Sequence, residues 1–105
     1  MNALDFIESF GSKVNPDAIA GHNTVFHFDI EGENTGQKTV QIVDGKLTIL
    51  DGLVDTPVCV VKAKGETLMK IVTGEENAMM AFMMGKIKVS NPGELMKYSK
   101  IFGLM

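Results

Sequence analysis

Two histidines, one cysteine and one pair of adjacent glutamates are the residues of this 105-residue chain whose types could make or break bonds. His27 and Asp29 alternate along what reads as one face of a strand, which brings an imidazole and a carboxylate together. A zinc centre needs at least three protein ligands, so this pair supplies half of one at best. His27 is therefore expected to be exposed and uninvolved. Cys59 lies mid-strand with no base beside it in sequence, the setting of a buried structural thiol rather than a nucleophile. A single cysteine also excludes an internal disulfide and a multi-thiolate metal site. Glu75 and Glu76 start a helix, and adjacent helical residues do not face each other, so they form no carboxylate dyad. The chain has no phosphate-cradling glycine loop, no nucleophile elbow, no C-x-x-C and no H-E-x-x-H. Neither an enzyme nor a protein with a metal or cofactor is expected.

The unusual residue type is methionine, with eight in the chain. Met79 and Met83, and Met80 and Met84, stand four apart, so on a helix they stack into two adjacent columns. Methionine is unbranched and polarizable, and it adapts to irregular apolar outlines. This pattern fits either a soft core or a helix lining an apolar cavity or groove.

Charge narrows the partners. All ten bases are lysine, and arginine, the usual reader of guanine edges and phosphate forks, is absent. With a net charge of −3, nucleic acid is not an expected partner. The split is uneven: residues 1–56 carry nine acids and three lysines, residues 57–105 four acids and seven lysines. The lysine-rich end is either a solvated face or a surface that leans transiently on an anionic membrane.

At 45% apolar and 22% charged, the chain has the mix of one globular domain spanning 1–105. No apolar run approaches the ~20 residues that cross a bilayer, and the start lacks a basic leader, so a cytoplasmic address is expected.

The elements follow from period and punctuation. Ala3, Leu4, Phe6, Ile7 and Phe10 share a helix face, with Asn2 as cap and Gly11 as stop. Asn15-Pro16-Asp17 predicts a short helical turn ending at Gly21. Thr24–Ile30 alternates, with Phe26, Phe28 and Ile30 on one face. Thr39–Val43 and Lys46–Leu50 flank Asp44-Gly45, a type I′ hairpin signal. Val58–Lys64, opened by Pro57, reads as a fourth and central strand. Glu66–Val72 is helical and ends near Gly74. Thr73-Gly74-Glu75-Glu76 has the form of a capping box and predicts a second helix from Glu75 to Met84, stopped at Gly85. Lys86–Val89 is a short strand with Ile87 and Val89 inward. Asn91-Pro92-Gly93-Glu94 starts a last helix that stops at Gly103. The order predicts an α+β fold, one sheet with helices gathered over one face.

Residues 53–89 resemble the sterol carrier protein 2 domain, a lipid-transfer family. The likeness rests on Asp55-Thr56-Pro57-Val58-Cys59-Val60-Val61, on the helix Leu68–Gly74, and above all on Ala81-Phe82-Met83-Met84-Gly85-Lys86-Ile87-Lys88-Val89, which is similar to that family's A-F-x-x-G-K-(L/I)-x-V signature. The upstream order of elements fits from about residue 24 onward. The chain departs from the pattern at Asn91, where the family often has glycine, and in the second strand, which lacks an aromatic. Gly103-Leu104-Met105 is unlike the peroxisomal tripeptide of animal carriers.

The resemblance implies a five-stranded, mostly antiparallel sheet covered on one face by helices, with an apolar tunnel that takes fatty acids, acyl-CoA, sterols or phospholipids and no chemistry of its own. It implies Phe82 and Met83 at the sheet–helix seam and Gly85 as the tight exit into the last strand. The inward strand residues Phe26, Phe28, Val40, Ile42, Cys59 and Val61 would then be the floor of a lipid site. Leu68, Ile71, Met79, Met80, Met83 and Met84 would be its roof. Leu95, Met96, Phe102, Leu104 and Met105 would belong to a closing helix, while Lys86, Lys88, Lys97 and Lys100 would draw an anionic head group. The alternative is a protein-interaction or accessory module that packs the Met-rich helix and C-terminal tail against a second copy, as a homodimer, or against a partner enzyme.

Overall fold

The computed structural model describes residues 2–32 and 35–103. Five strands, β1 (Thr24–Glu31), β2 (Gly36–Val43), β3 (Lys46–Asp51), β4 (Cys59–Lys64) and β5 (Ile87–Val89), form one sheet in the order β3-β2-β1-β4-β5. Three of the four pairings are antiparallel, and β1 with β4 is parallel. The α+β class and the mostly antiparallel sheet are as the sequence implies. Asp44 and Gly45 both have positive φ, 50° and 78°, as a type I′ hairpin requires. Glycine is demanded at 45 for a second reason: a Cβ there would stand 2.9 Å from the Ala20 Cα, in backbone that has little room to yield.

The helices keep the predicted places but not all the predicted ends. α1 (Ala3–Glu8) starts on a capping box, with the Asp5 N–H donating to Asn2 Oδ1 at 2.9 Å. Gly11 does not stop it. The break falls at Ser9, whose hydroxyl donates back to the Phe6 carbonyl at 2.6 Å, and α2 (Phe10–Lys13) continues beyond. Pro16–Ile19 is a 3-10 turn capped by Asn15. α3 (Gly65–Val72) ends at Thr73 and Gly74. The expected capping box at Thr73 is not made, because the Glu76 N–H that would donate to its hydroxyl donates instead to the Lys70 carbonyl at 3.1 Å, closing the end of α3. α4 therefore begins later, at Ala78–Met83, with the Asn77 side chain accepting from Met79 and Met80 N–H. α5 (Pro92–Phe102) has the predicted Asn91 cap and a left-handed Gly103 at its end.

One face of the sheet carries the core. Phe6, Phe10, Phe26, Phe28, Tyr98 and Phe102 are buried together, joining α1, α2, β1 and α5. The Phe10 and Phe102 rings stack at 4.7 Å, and Phe26 meets Phe102 edge-on at 5.2 Å. The opposite face is partly covered by residues 52–58. There Thr39 Oγ1 donates to the Gly52 carbonyl and accepts from Val54 N–H. His27 is 7% exposed under the same segment, with Nε2 2.7 Å from the Val54 carbonyl oxygen. The expectation of an exposed His27 is thus corrected. Strand alternation placed it on the outer face, and a loop invisible to that alternation closes over it.

Candidate functional site

The helical layer does not close completely over the β4–β5 end of the sheet. An apolar cleft of about 80 Å³ remains between those strands and the last three helices. Val61, Ile87 and Val89 form its floor, as alternation along β4 and β5 turns them inward. Leu68 and Ile71, three apart on α3, form one wall. Pro92, Leu95, Met96 and Ser99 form another, at the three- and four-residue spacing of one face of α5. Ala78, Met79 and Phe82 of α4 close the mouth. Ala81 is the buried residue of α4 and packs with Ala63, Ile71 and Ile87. Its small side chain lets the helix lie close against β5. The accessible lining is wholly apolar, so the cleft offers water no hydrogen-bond partner.

Polar contacts fix the helix that forms the far wall. Thr24 Oγ1 donates to Glu94 Oε2 at 2.5 Å, and His22 Nδ1 lies 2.8 Å from the Tyr98 hydroxyl. Burial, reinforced by the Glu94 charge, pushes the Tyr98 phenol above its ordinary range. Cys59 is buried, its Sγ donating to the Asn91 carbonyl at 3.5 Å, and burial raises its thiol pKa. Among the described residues no group of three or more His, Cys, Asp and Glu is placed to hold a metal, and no helix is long and apolar enough to cross a membrane.

The predicted lipid-site residues separate into three sets. Val61, Leu68, Ile71, Met79, Leu95 and Met96 are brought together around the cleft. Phe26, Phe28, Ile42 and Phe102 are fully buried in the packed core and do not line it; Val40 and Cys59 share their burial. Of the expected floor, Val61 alone lines this cleft, which lies toward the β5 edge because the aromatic rings fill the space over β1 and β2. Met80, Met83 and Met84 point away from the cleft and are 55%, 74% and 64% exposed. Of the expected roof, Leu68, Ile71 and Met79 line the cleft, and at the signature Phe82 lines it while Met83 does not. Leu104 and Met105 lie outside the described residues. Ala78, Ile87, Val89, Pro92 and Ser99 also line the cleft and were not among the expected site residues. The helical spacing of Ala78, Pro92 and Ser99 from Phe82 and Met96, and the inward alternation of Ile87 and Val89, were the available signals.

A five-stranded mixed sheet with its helices layered over an apolar cleft is the architecture of sterol carrier protein domains. Residues 5–103 match the SCP-2 sterol transfer family, and the chain belongs to it. It is 31% identical over 96 residues to the hydroxysteroid dehydrogenase-like protein 2 of Xenopus tropicalis, covering 90% of this chain and 23% of that protein. Among solved structures it is similar to the stereoselective inverting sec-alkylsulfatase Pisa1 from Pseudomonas sp., with a TM-score of 0.76 and 22% identity, over 95% of this chain and 16% of that one. It is also similar to the palmitated SCP2L2 of Aedes aegypti, with a TM-score of 0.67 and 18% identity, over 92% of each chain. The chain thus spans less than a quarter of the first two relatives and nearly all of the third.

Proposed function

We propose that the chain acts as a single lipid-binding domain, which takes an apolar molecule into the cleft between β4, β5 and the last three helices and carries it without altering it. The observation that supports this is the wholly apolar cleft itself. Its partners on this reading are the apolar molecule, such as a fatty acid, acyl thioester, sterol-like compound or phospholipid, and, during loading, a lipid surface. Burial of each methylene stabilises a complex by about 0.8 kcal/mol, so a long tail is held with few polar contacts. The present volume is well below the ~300 Å³ at which sites for drug-sized ligands begin. A long chain therefore enters by parting α4 and α5. Met79 and Met96, half-exposed at the mouth, can change rotamer to admit it. The palmitated mosquito relative supports the reading through its shared fold.

A second reading has its own support. The same unit matches under a quarter of the amphibian relative and of the alkylsulfatase. That favours an accessory role in which the domain presents an apolar cargo to an enzyme.

Extraction of the freshly purified protein and mass spectrometry of what co-purifies tests the carrier role, together with titration of a fluorescent long-chain fatty acid. A co-purifying lipid and saturable uptake are expected. Met96→Glu places a charge at the cleft wall on a half-exposed residue that folding tolerates, and uptake should fall at least about tenfold. Absence of both adduct and uptake overturns the proposal, and undiminished uptake by Met96→Glu moves the site elsewhere.

A further inference from the structure

Every residue of α4 is apolar, yet only Ala81 is buried. Met80 and Met83, with the cap residue Met84, face solvent without lining the cleft, while Met79 and Phe82 do both. A surface helix with no polar residue is an unpartnered face. Its two ends border a second feature. Glu76, just before the helix, and Gly85-Lys86, just after it, line a groove of about 510 Å³. Lys62, Lys64, Lys70 and Lys88 line the same groove, and its carboxylates are Glu31, Glu66 and Glu76. Lys62 is paired with Glu31 and Lys86 with Glu76. Lys64, Lys70 and Lys88 have no carboxylate within ion-pair distance among the described residues. In addition, Lys62 and Lys88 stand directly opposite each other on adjacent strands, an arrangement that like charges disfavour and that an anion between them offsets.

We infer that the outward face of α4 and the lysine groove beside it form one docking surface for an anionic lipid bilayer. The apolar side chains enter the interface while the lysines meet the head groups, the two-part attraction that holds peripheral segments on membranes. Charge argues for this occupant over a second copy. The groove holds five lysines against three glutamates, an excess that anionic head groups match, and a two-fold axis running from α4 toward the groove sets that positive charge against itself. The surface rests on the carrier reading only for its purpose: docked there, the cleft mouth at Met79 and Phe82 faces hydrocarbon.

The test is flotation of the full chain with vesicles of phosphatidylcholine, alone or mixed with phosphatidylglycerol, beside uptake of a fluorescent fatty acid supplied in solution. Binding to the mixed vesicles only, weakened by salt, is expected. Lys64→Gln with Lys88→Gln should reduce it about tenfold or more. Met80→Gln with Met83→Gln should reduce it to a similar extent. Both double variants change exposed side chains outside the cleft and should leave uptake from solution unchanged. No vesicle binding, equal binding to neutral vesicles, or binding that both variants retain overturns the docking surface. So does a dimer, measured by sedimentation, that the methionine variant dissolves while vesicles go unbound. Normal uptake with no vesicle binding defeats this inference alone; vesicle binding with no uptake defeats the carrier reading alone.

Discussion

Cys59 shows how far a residue can be read without its neighbours. Its sequence setting indicated an inert thiol, and the structure supplies the cause: complete burial, a contact to the Asn91 carbonyl, and a pKa raised by desolvation. A thiol held protonated and covered does not attack electrophiles. Iodoacetamide at mildly alkaline pH should therefore leave Cys59 unlabelled in the folded protein and label it once denaturant is added; fast labelling without denaturant would contradict the burial. The methionines teach the opposite lesson. Their four-residue spacing established that they share faces of a helix, but spacing is the same for an inward and an outward face. What orients α4 is Ala81, the small residue that permits close approach to Ala63 and Ile87. An alanine among larger apolar residues carries little hydrophobic signal, so the spacing could not show that Met80, Met83 and Met84 face outward.

At the level of elements, ends were harder to read than existence. Thr73 satisfied the pattern of a capping residue, but the Glu75 and Glu76 N–H groups beyond it donate to the Lys70 carbonyl at the end of α3, and that local closure won. Asn2, Asn15 and Asn91 each accept from a backbone N–H of the following turn and cap as the sequence indicated. α5 was legible in full because its cap, its first-turn proline and its glycine stop agree. Its packing is testable. Phe102 is fully buried and meets Phe10, Phe26, Phe28 and Tyr98. Phe102→Ala should destabilise the fold by about 3–5 kcal/mol in urea titration. A loss below about 1 kcal/mol would mean that α5 is not anchored by this ring.

For the molecule as a whole, the class of fold was readable because strand alternation, the Asp44-Gly45 turn and the later change to helical period all agree. The parallel pairing of β1 with β4 was not, since no local pattern records which edge of a hairpin a later strand joins. The cleft was half readable for the same reason: the facing residues of α3, α5 and the short β5 follow from period, whereas their meeting at one end of the sheet depends on the strand order. This division predicts where cargo acts. Binding to the folded state alone raises stability by mass action. Adding a fatty acid to delipidated protein should raise Tm and slow hydrogen exchange in α3, α4 and α5, with little change in β2 and β3. Uniform slowing across the sheet, or slowing confined to β2 and β3, would place the cargo elsewhere.

The last helix touches both halves of that division. Tyr98 and Phe102 rest on the stacked rings, while Leu95, Met96 and Ser99, on the neighbouring stripe, bound the cleft. Swinging this rod outward to admit a guest also tugs on the aromatic stack at its far side. On the proposed reading, the stack is then the spring against which a guest pushes, and its stiffness would set how readily the load is let go. Leakier or more tenacious versions of the protein can arise from changes at rings that never meet the cargo.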